Sequence, residues 1–154
     1  MKLLPLLIAP VAALVCLIPA QAEVQTRKVE YKHGNTVLEG YLAYDDDIQG
    51  KLPGVMVVHE WTGLGSYVQQ RAKQLAELGY VAFAIDMYGK GIRPKNDQEA
   101  AAQATIYRSD RKLMRVSEAC RRLRAAAGLK VLQQNELTDK NRIAAIRYCF
   151  GGGK

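Results

Sequence analysis

Histidine is nearly absent from this sequence. His33 and His59 are the only two in 154 residues, so any imidazole base supplied by this chain is one of them. Cysteine is scarce too: of three, Cys16 falls in an N-terminal apolar stretch, which leaves Cys120 and Cys149 to a folded domain. Two cysteines in an oxidising compartment can pair, but Cys120 lies in a helix-like run and reads as a buried helix residue, whereas Cys149 lies in a turn. No apolar run reaches the roughly 20 residues that span a bilayer; Leu3–Ile18 is shorter and is broken by Pro5 and Pro10, with Pro19 just beyond. Repeats and low-complexity segments are missing. Tryptophan occurs once, as Trp61, and no aromatic platform accompanies the basic residues, which argues against a nucleic-acid partner.

The apolar stretch has Lys2 before it and Ala20-Gln21-Ala22 after it, the three parts of a secretory signal. Val15 is too bulky to precede a lipid-modified Cys16. Cleavage after Ala22 leaves one domain, residues 23–154, expected to be periplasmic or secreted with no stable membrane association. The formal charge of +7, one unit of which is Lys2, then serves solubility and attraction of anionic small molecules.

Arg27–Tyr31 and Thr36–Tyr44 read as strands joined at His33-Gly34-Asn35, an antiparallel hairpin at a sheet edge. Asp45-Asp46-Asp47 reads as a solvated loop and not as a metal site, because ligands converge from spaced positions. Pro53–Val58 is a continuous apolar run, as in a strand buried on both faces. A helix is expected over Ser66–Leu78, with Val68, Ala72, Leu75 and Ala76 on one face and Gly79 as its stop. Tyr80–Ile85 is a second buried strand, completing a βαβ unit with parallel pairing. Residues 96–127 are helical in character, with a stripe of Leu113, Val116, Cys120, Leu123 and Ala127. Arg108–Arg124 is then a solvated basic face. Gly128 is expected to end the helix, Leu129–Lys140 to be a polar connection, and Arg142–Tyr148 to be a buried strand.

That last strand runs into Cys149-Phe150-Gly151-Gly152-Gly153, a glycine-rich turn with a nucleophile at its apex. Strand, sharp turn and nucleophile compose the elbow of α/β-hydrolases. A cysteine there is held clear of the sheet, and a helix N-terminus after it favours the reactive form. The N–H after the nucleophile, that of Phe150, and one from the loop after the third strand, His59–Gly65, are positioned by chain order to hold an oxyanion.

Three segments together resemble the dienelactone hydrolase family over roughly residues 27–153: Val57-Val58-His59-Glu60-Trp61-Thr62-Gly63-Leu64, Ile85-Asp86-Met87-Tyr88-Gly89 and Tyr148-Cys149-Phe150-Gly151-Gly152. The resemblance implies an α/β-hydrolase-type sheet: an N-terminal antiparallel hairpin, then parallel strands with flanking helices. It implies Cys149 as the nucleophile on a lactone or carboxylic ester, Glu60 paired with the resting thiol, and oxyanion donors at Trp61 and Phe150. A substrate carboxylate would be held by Lys90 or Arg93. No cofactor and no metal is implied. Asp86 matches a family aspartate, and its role is read as bonding loop N–H groups. Trp61 either lines the pocket or packs.

Three departures accompany the resemblance. Arg147 stands where the family elbow has glycine, and a side chain there is expected to distort the turn, at about 1–3 kcal/mol. The family's acid and histidine follow the nucleophile, and neither occurs before Lys154; nor do the helix and strands that follow the elbow. His59 does not substitute, because strand alternation aims it away from its neighbour Glu60, and His33 reads as a surface residue. The sequence is therefore expected to be an N-terminal portion of the domain, truncated after the nucleophile strand and inactive alone. An exposed sheet edge would favour self-association. The alternative is a non-catalytic fragment or binding protein from a truncated or frameshifted gene.

Overall fold

The computed structural model describes residues 23–106 and 111–149, the stretch 111–121 as helical backbone. The expected leader 1–22, the stripe residues Leu113, Val116 and Cys120, and Phe150 with the glycines after it lie outside what is described. Five strands form one sheet in the order β1-β2-β4-β3-β5. β1 (Val24–His33) and β2 (Thr36–Asp45) are the antiparallel hairpin at one edge. β2 also pairs antiparallel with β4 (Val81–Ile85), and β3 (Leu52–Val58) runs parallel to both β4 and β5 (Thr138–Arg147).

Helix α1 (Ser66–Glu77) covers one face, burying Val68, Ala72 and Ala76 against Val55, Val57, Ala82 and Ala84. It stops as the sequence indicates. Gly79 adopts φ +84°, its N–H reaching Ala76 O at 2.9 Å while Tyr80 N–H reaches Leu75 O at 3.1 Å, the paired bonds of a Schellman cap. Helices α2 (Asp97–Ile106) and α3 (Arg111–Gln134) lie on the other face, where Ala104 and Leu132 join Phe83, Ile85 and Met56. With both faces covered, β3 and β4 read as unbroken apolar runs because neither strand has a wet side.

Five expectations need correction. Gly128 does not end a helix: α3 runs through it to Gln134, because Leu129, Val131 and Leu132 continue its apolar face. Gly128 is a packing residue, and a Cβ there would overlap Ile85 Cγ2 on β4. Leu123 is exposed, and Arg124, assigned to a solvated face, is buried. Asp45 is buried as well, its Oδ1 accepting the Asp47 N–H at 2.9 Å.

β5, finally, begins at Thr138. Thr138 and Asp139 pair with Leu52 and Pro53, residues 140–142 loop out, and pairing resumes at Ile143 opposite Gly54. Ala144 and Ala145 are exposed and Ile143 and Ile146 only half-buried, since β5 pairs with β3 alone among the described residues.

Substituting Gly128→Ala sets about 1 kcal/mol of helix propensity gained against about 1–3 kcal/mol for overpacking. Net destabilisation is expected in urea unfolding, and it should shrink in an Ile85→Ala background. Stability at or above the wild-type value would show that α3 and β4 separate without cost.

Candidate active site

The loop after β4 carries a dense set of buried hydrogen bonds. Asp86, fully buried, accepts the N–H groups of Tyr88 and Gly89 on Oδ1, both at 2.9 Å, and that of Glu39 on Oδ2 at 3.1 Å. Its role in the loop is the one read from sequence. Tyr31 from β1 closes the other side: its hydroxyl accepts the Asp86 N–H at 2.9 Å and donates to Asp86 O at 3.3 Å. Burial pushes the Tyr31 phenol upward, so it stays protonated and able to donate. Arg124 reaches in from α3 and donates to Met87 O and, at 3.0 Å, to Tyr88 O. Nothing in the basic run distinguishes Arg124 from its neighbours, and sequence reading missed it.

This loop holds the loop after β3. His59 is fully buried, and its Nε2 accepts the Met87 N–H at 3.1 Å. Since an N–H can only donate, the ring proton sits on Nδ1, which donates to Glu60 O at 2.5 Å. Burial lowers the pKa of the imidazole, and a second ring proton would face the Met87 N–H. His59 is thus a neutral structural clamp and not a base. Tyr88 packs edge-on against its ring and donates from its hydroxyl to Trp61 O at 2.6 Å. Glu60 and Trp61 are thereby fixed to the end of β4.

Glu60 accepts from Thr62 Oγ1 at 2.7 Å through Oε1, while its buried Oε2 has no partner among the described residues. Trp61 and Cys149 line one cavity of about 310 Å³, completed by Ala101, Ala104 and Thr105 of α2. Sequence reading brought Trp61 and Cys149 together but gave α2 no part. Cys149 is exposed, directly beyond β5, with φ +44°, the left-handed region that among the described residues no other non-glycine occupies. Such a residue costs about 1–3 kcal/mol and persists where its surroundings hold it.

The residue before it is held from the strand and from α1: Tyr148 N–H bonds to Val58 O at 3.3 Å, and Tyr67 of α1 packs edge-on to the Tyr148 ring at 5.7 Å. An aromatic pair of this kind contributes about 0.5–1.5 kcal/mol, less where solvent reaches it.

Lys90 and Arg93 stand elsewhere. Lys90 is exposed and pairs with Glu30 of β1. Arg93 lies 3.6 Å from both Glu39 and Asp86 and donates to the carbonyls of Gly89, Ile92 and Glu39. Neither is among the described residues lining the cavity at Cys149. Arg147, at the elbow's glycine position, is exposed on β5; the residue the turn would bring beside it, Gly151, lies outside the described residues.

A mixed sheet covered on both faces, with the nucleophile candidate just past a parallel strand, defines an α/β-hydrolase-type fold. The family model for the dienelactone hydrolase family matches residues 38–153, and the chain belongs to that family. Among solved structures it superposes on m3DLH with a TM-score of 0.73 at 33% identity, covering 84% of this chain and 51% of that one. The dienelactone hydrolase-like promiscuous phosphotriesterase P91, from metagenomic libraries, gives 0.72 at 34% identity with the same coverage. A Bradyrhizobium protein described as "Probable 2-oxo-3-(5-oxofuran-2-ylidene)propanoate lactonase" is 26% identical over 106 residues, 68% of this chain and 40% of that protein. The chain spans about half the length of the curated relatives it matches.

The His59 clamp has a pH signature. Its folded pKa lies below the unfolded 6.5, so its contribution is fully present above pH 6.5 and is lost as pH falls through the folded value. Stability is expected to fall below pH 6.5 by up to about 1.4 kcal/mol per pH unit. His59→Gln should be less stable than wild type at pH 7.5, and the gap should narrow at pH 5.5. A gap independent of pH, read from urea unfolding at both values, would rule out the neutral clamp.

Proposed function

We propose that the domain to which this chain contributes hydrolyses a lactone or carboxylic ester through a Cys149 thioester. The observation that carries this is Cys149 at positive φ on a cavity shared with Trp61, whose neighbour in the chain, Glu60, has a buried carboxylate oxygen with no partner among the described residues. Glu60 takes the thiol proton. The sulfur bonds to the acyl carbon, the N–H groups of Trp61 and Phe150 receive the oxyanion, the C–O bond breaks, and the alkoxide takes the proton from Glu60. Water then cleaves the thioester, its hydroxyl going to the acyl carbon and its proton to the sulfur. The lactonase description of the Bradyrhizobium relative supports this substrate class. An anionic substrate held by Lys90 or Arg93 has less support, since both already have acidic partners.

For this chain by itself, the second step lacks an imidazole to activate the water. His59 is committed through both ring nitrogens, and His33 ends β1 at the hairpin turn. Members of a catalytic unit act together, and losing one forfeits most of the rate. The chain alone is therefore expected to acylate without appreciable turnover, and to that extent the non-catalytic reading stands beside the first. With p-nitrophenyl acetate, one equivalent of nitrophenolate should be released and little more, and Cys149→Ala should abolish it. Equal release by the variant would remove Cys149 from the mechanism; sustained turnover lost in the variant would overturn the inactive reading.

Export to the periplasm or beyond rests on the leader sequence 1–22. Among the described residues β5 pairs with β3 alone, and a strand edge left open there supports self-association. Sedimentation should show oligomers or aggregates, and a soluble monomer with a cooperative unfolding transition would sink that idea.

A further inference from the structure

Tyr148 sits between the last strand and the cysteine, and its side chain is gripped from outside the sheet. The Tyr67 ring meets it edge-on at 5.7 Å with the planes at 80°. Arg71, one helical turn further along α1, lies over both rings, its guanidinium carbon 5.6 Å from the Tyr67 centroid and 6.0 Å from that of Tyr148. Residues four apart on a helix share a face, and the faces of the rings attract a cation. Arg71 is further fixed by a hydrogen bond to Gln74 Oε1 at 2.8 Å. The helix that carries this pair is rigidly seated through Val68, Ala72 and Ala76, each fully buried against the sheet.

Tyr148 also packs against the core cluster under α1, but its partners lie outside that core, since Tyr67 is about half exposed and Arg71 is exposed. What they touch is the residue before a cysteine whose backbone is strained. A strained turn relaxes unless the residues beside it are held. On one side the Tyr148 N–H is tied to Val58 O, and on the other the ring is tied to α1.

We propose that Tyr67 and Arg71 are positioning residues for Cys149. Through Tyr148 they keep the elbow in its positive-φ conformation and the thiol at the apex, facing the cavity that Trp61 and α2 line. The inference rests on the reading of Cys149 as the nucleophile. It adds a nucleophile support drawn from the exposed face of α1, apart from the two loops that carry Glu60, Trp61 and Asp86.

The test is the rate of Cys149 alkylation by iodoacetamide in the full chain, resolved from the other cysteines by peptide mass spectrometry. Tyr67→Ala and Arg71→Ala replace exposed side chains, which folding tolerates, and thermal unfolding of each variant verifies this. Both are expected to slow alkylation of Cys149 about fivefold, the order of change that loss of one weak contact gives, as the turn relaxes and the thiol leaves the apex. Tyr67→Phe keeps the ring contacts and should react at close to the wild-type rate. Equal or faster alkylation in both alanine variants overturns the proposal, as does a Phe variant as slow as Ala. Failure of the nucleophile reading is distinguishable: Cys149→Ala would keep its nitrophenolate release while the alkylation contrasts persisted.

Discussion

The four residues from Asp86 to Gly89 are where five elements of this molecule meet. The Asp86 carboxylate gathers N–H groups from its own loop and from β2, Tyr31 arrives from β1, His59 from the end of β3 and Arg124 from α3. Loop backbone buried away from water must find partners, and each unmet group costs about 1–3 kcal/mol. These side chains provide partners that the sheet cannot, because β4 has ended. Several donors share one acceptor here, so removing the Asp86 carboxylate orphans N–H groups on more than one element at once. That makes the loop a fixed reference against which the neighbouring loop is placed.

Glu60 and Trp61 inherit their positions from it. His59 ties the start of their loop to Met87, and Tyr88 ties its middle through Trp61 O. Cys149 is supported differently, through Tyr148, which among the described residues has a backbone bond to β3 and side-chain contacts with α1. The candidate site therefore joins a heavily bonded half to a lightly held one. A strained residue on the lightly held side is more sensitive to weak contacts, since their magnitude is comparable to the strain itself.

Where one residue type has one physical use, the sequence was legible. β3 and β4 show as unbroken apolar runs because both their faces are covered, α1 as a small-residue stripe closed by Gly79, and Asp86 as an aspartate followed by loop donors. Residues with two uses misled. Gly128 serves close packing against Ile85 where a cap was read, and Arg124 is an arginine among many whose burial depends on carbonyls 36 and 37 residues away in the chain. Asp45 closes a local turn. β5 looked buried because its residues are apolar, but burial is set by neighbours, and among the described residues it has one. Cys149 and Trp61 could be linked through the family motifs; α2 could not, because Ala101, Ala104 and Thr105 carry no chemistry of their own.

The Glu60 carboxylate brings these threads to one point. One oxygen is satisfied by Thr62, and the other is buried without a partner among the described residues. An unmet carboxylate oxygen is destabilising, and ordinary loop packing would remove it by turning the side chain outward or by placing a donor beside it. Here the side chain cannot turn freely, because Thr62 holds it and the backbone on both sides is fixed, through His59 at Glu60 O and Tyr88 at Trp61 O. A carboxylate oxygen held without a partner among the described residues, one residue from the Trp61 that lines the cavity at Cys149, supports the proposed role of Glu60 as acceptor of the thiol proton. On that argument the bonds around Asp86 do more than close a loop: they keep Glu60 from satisfying itself.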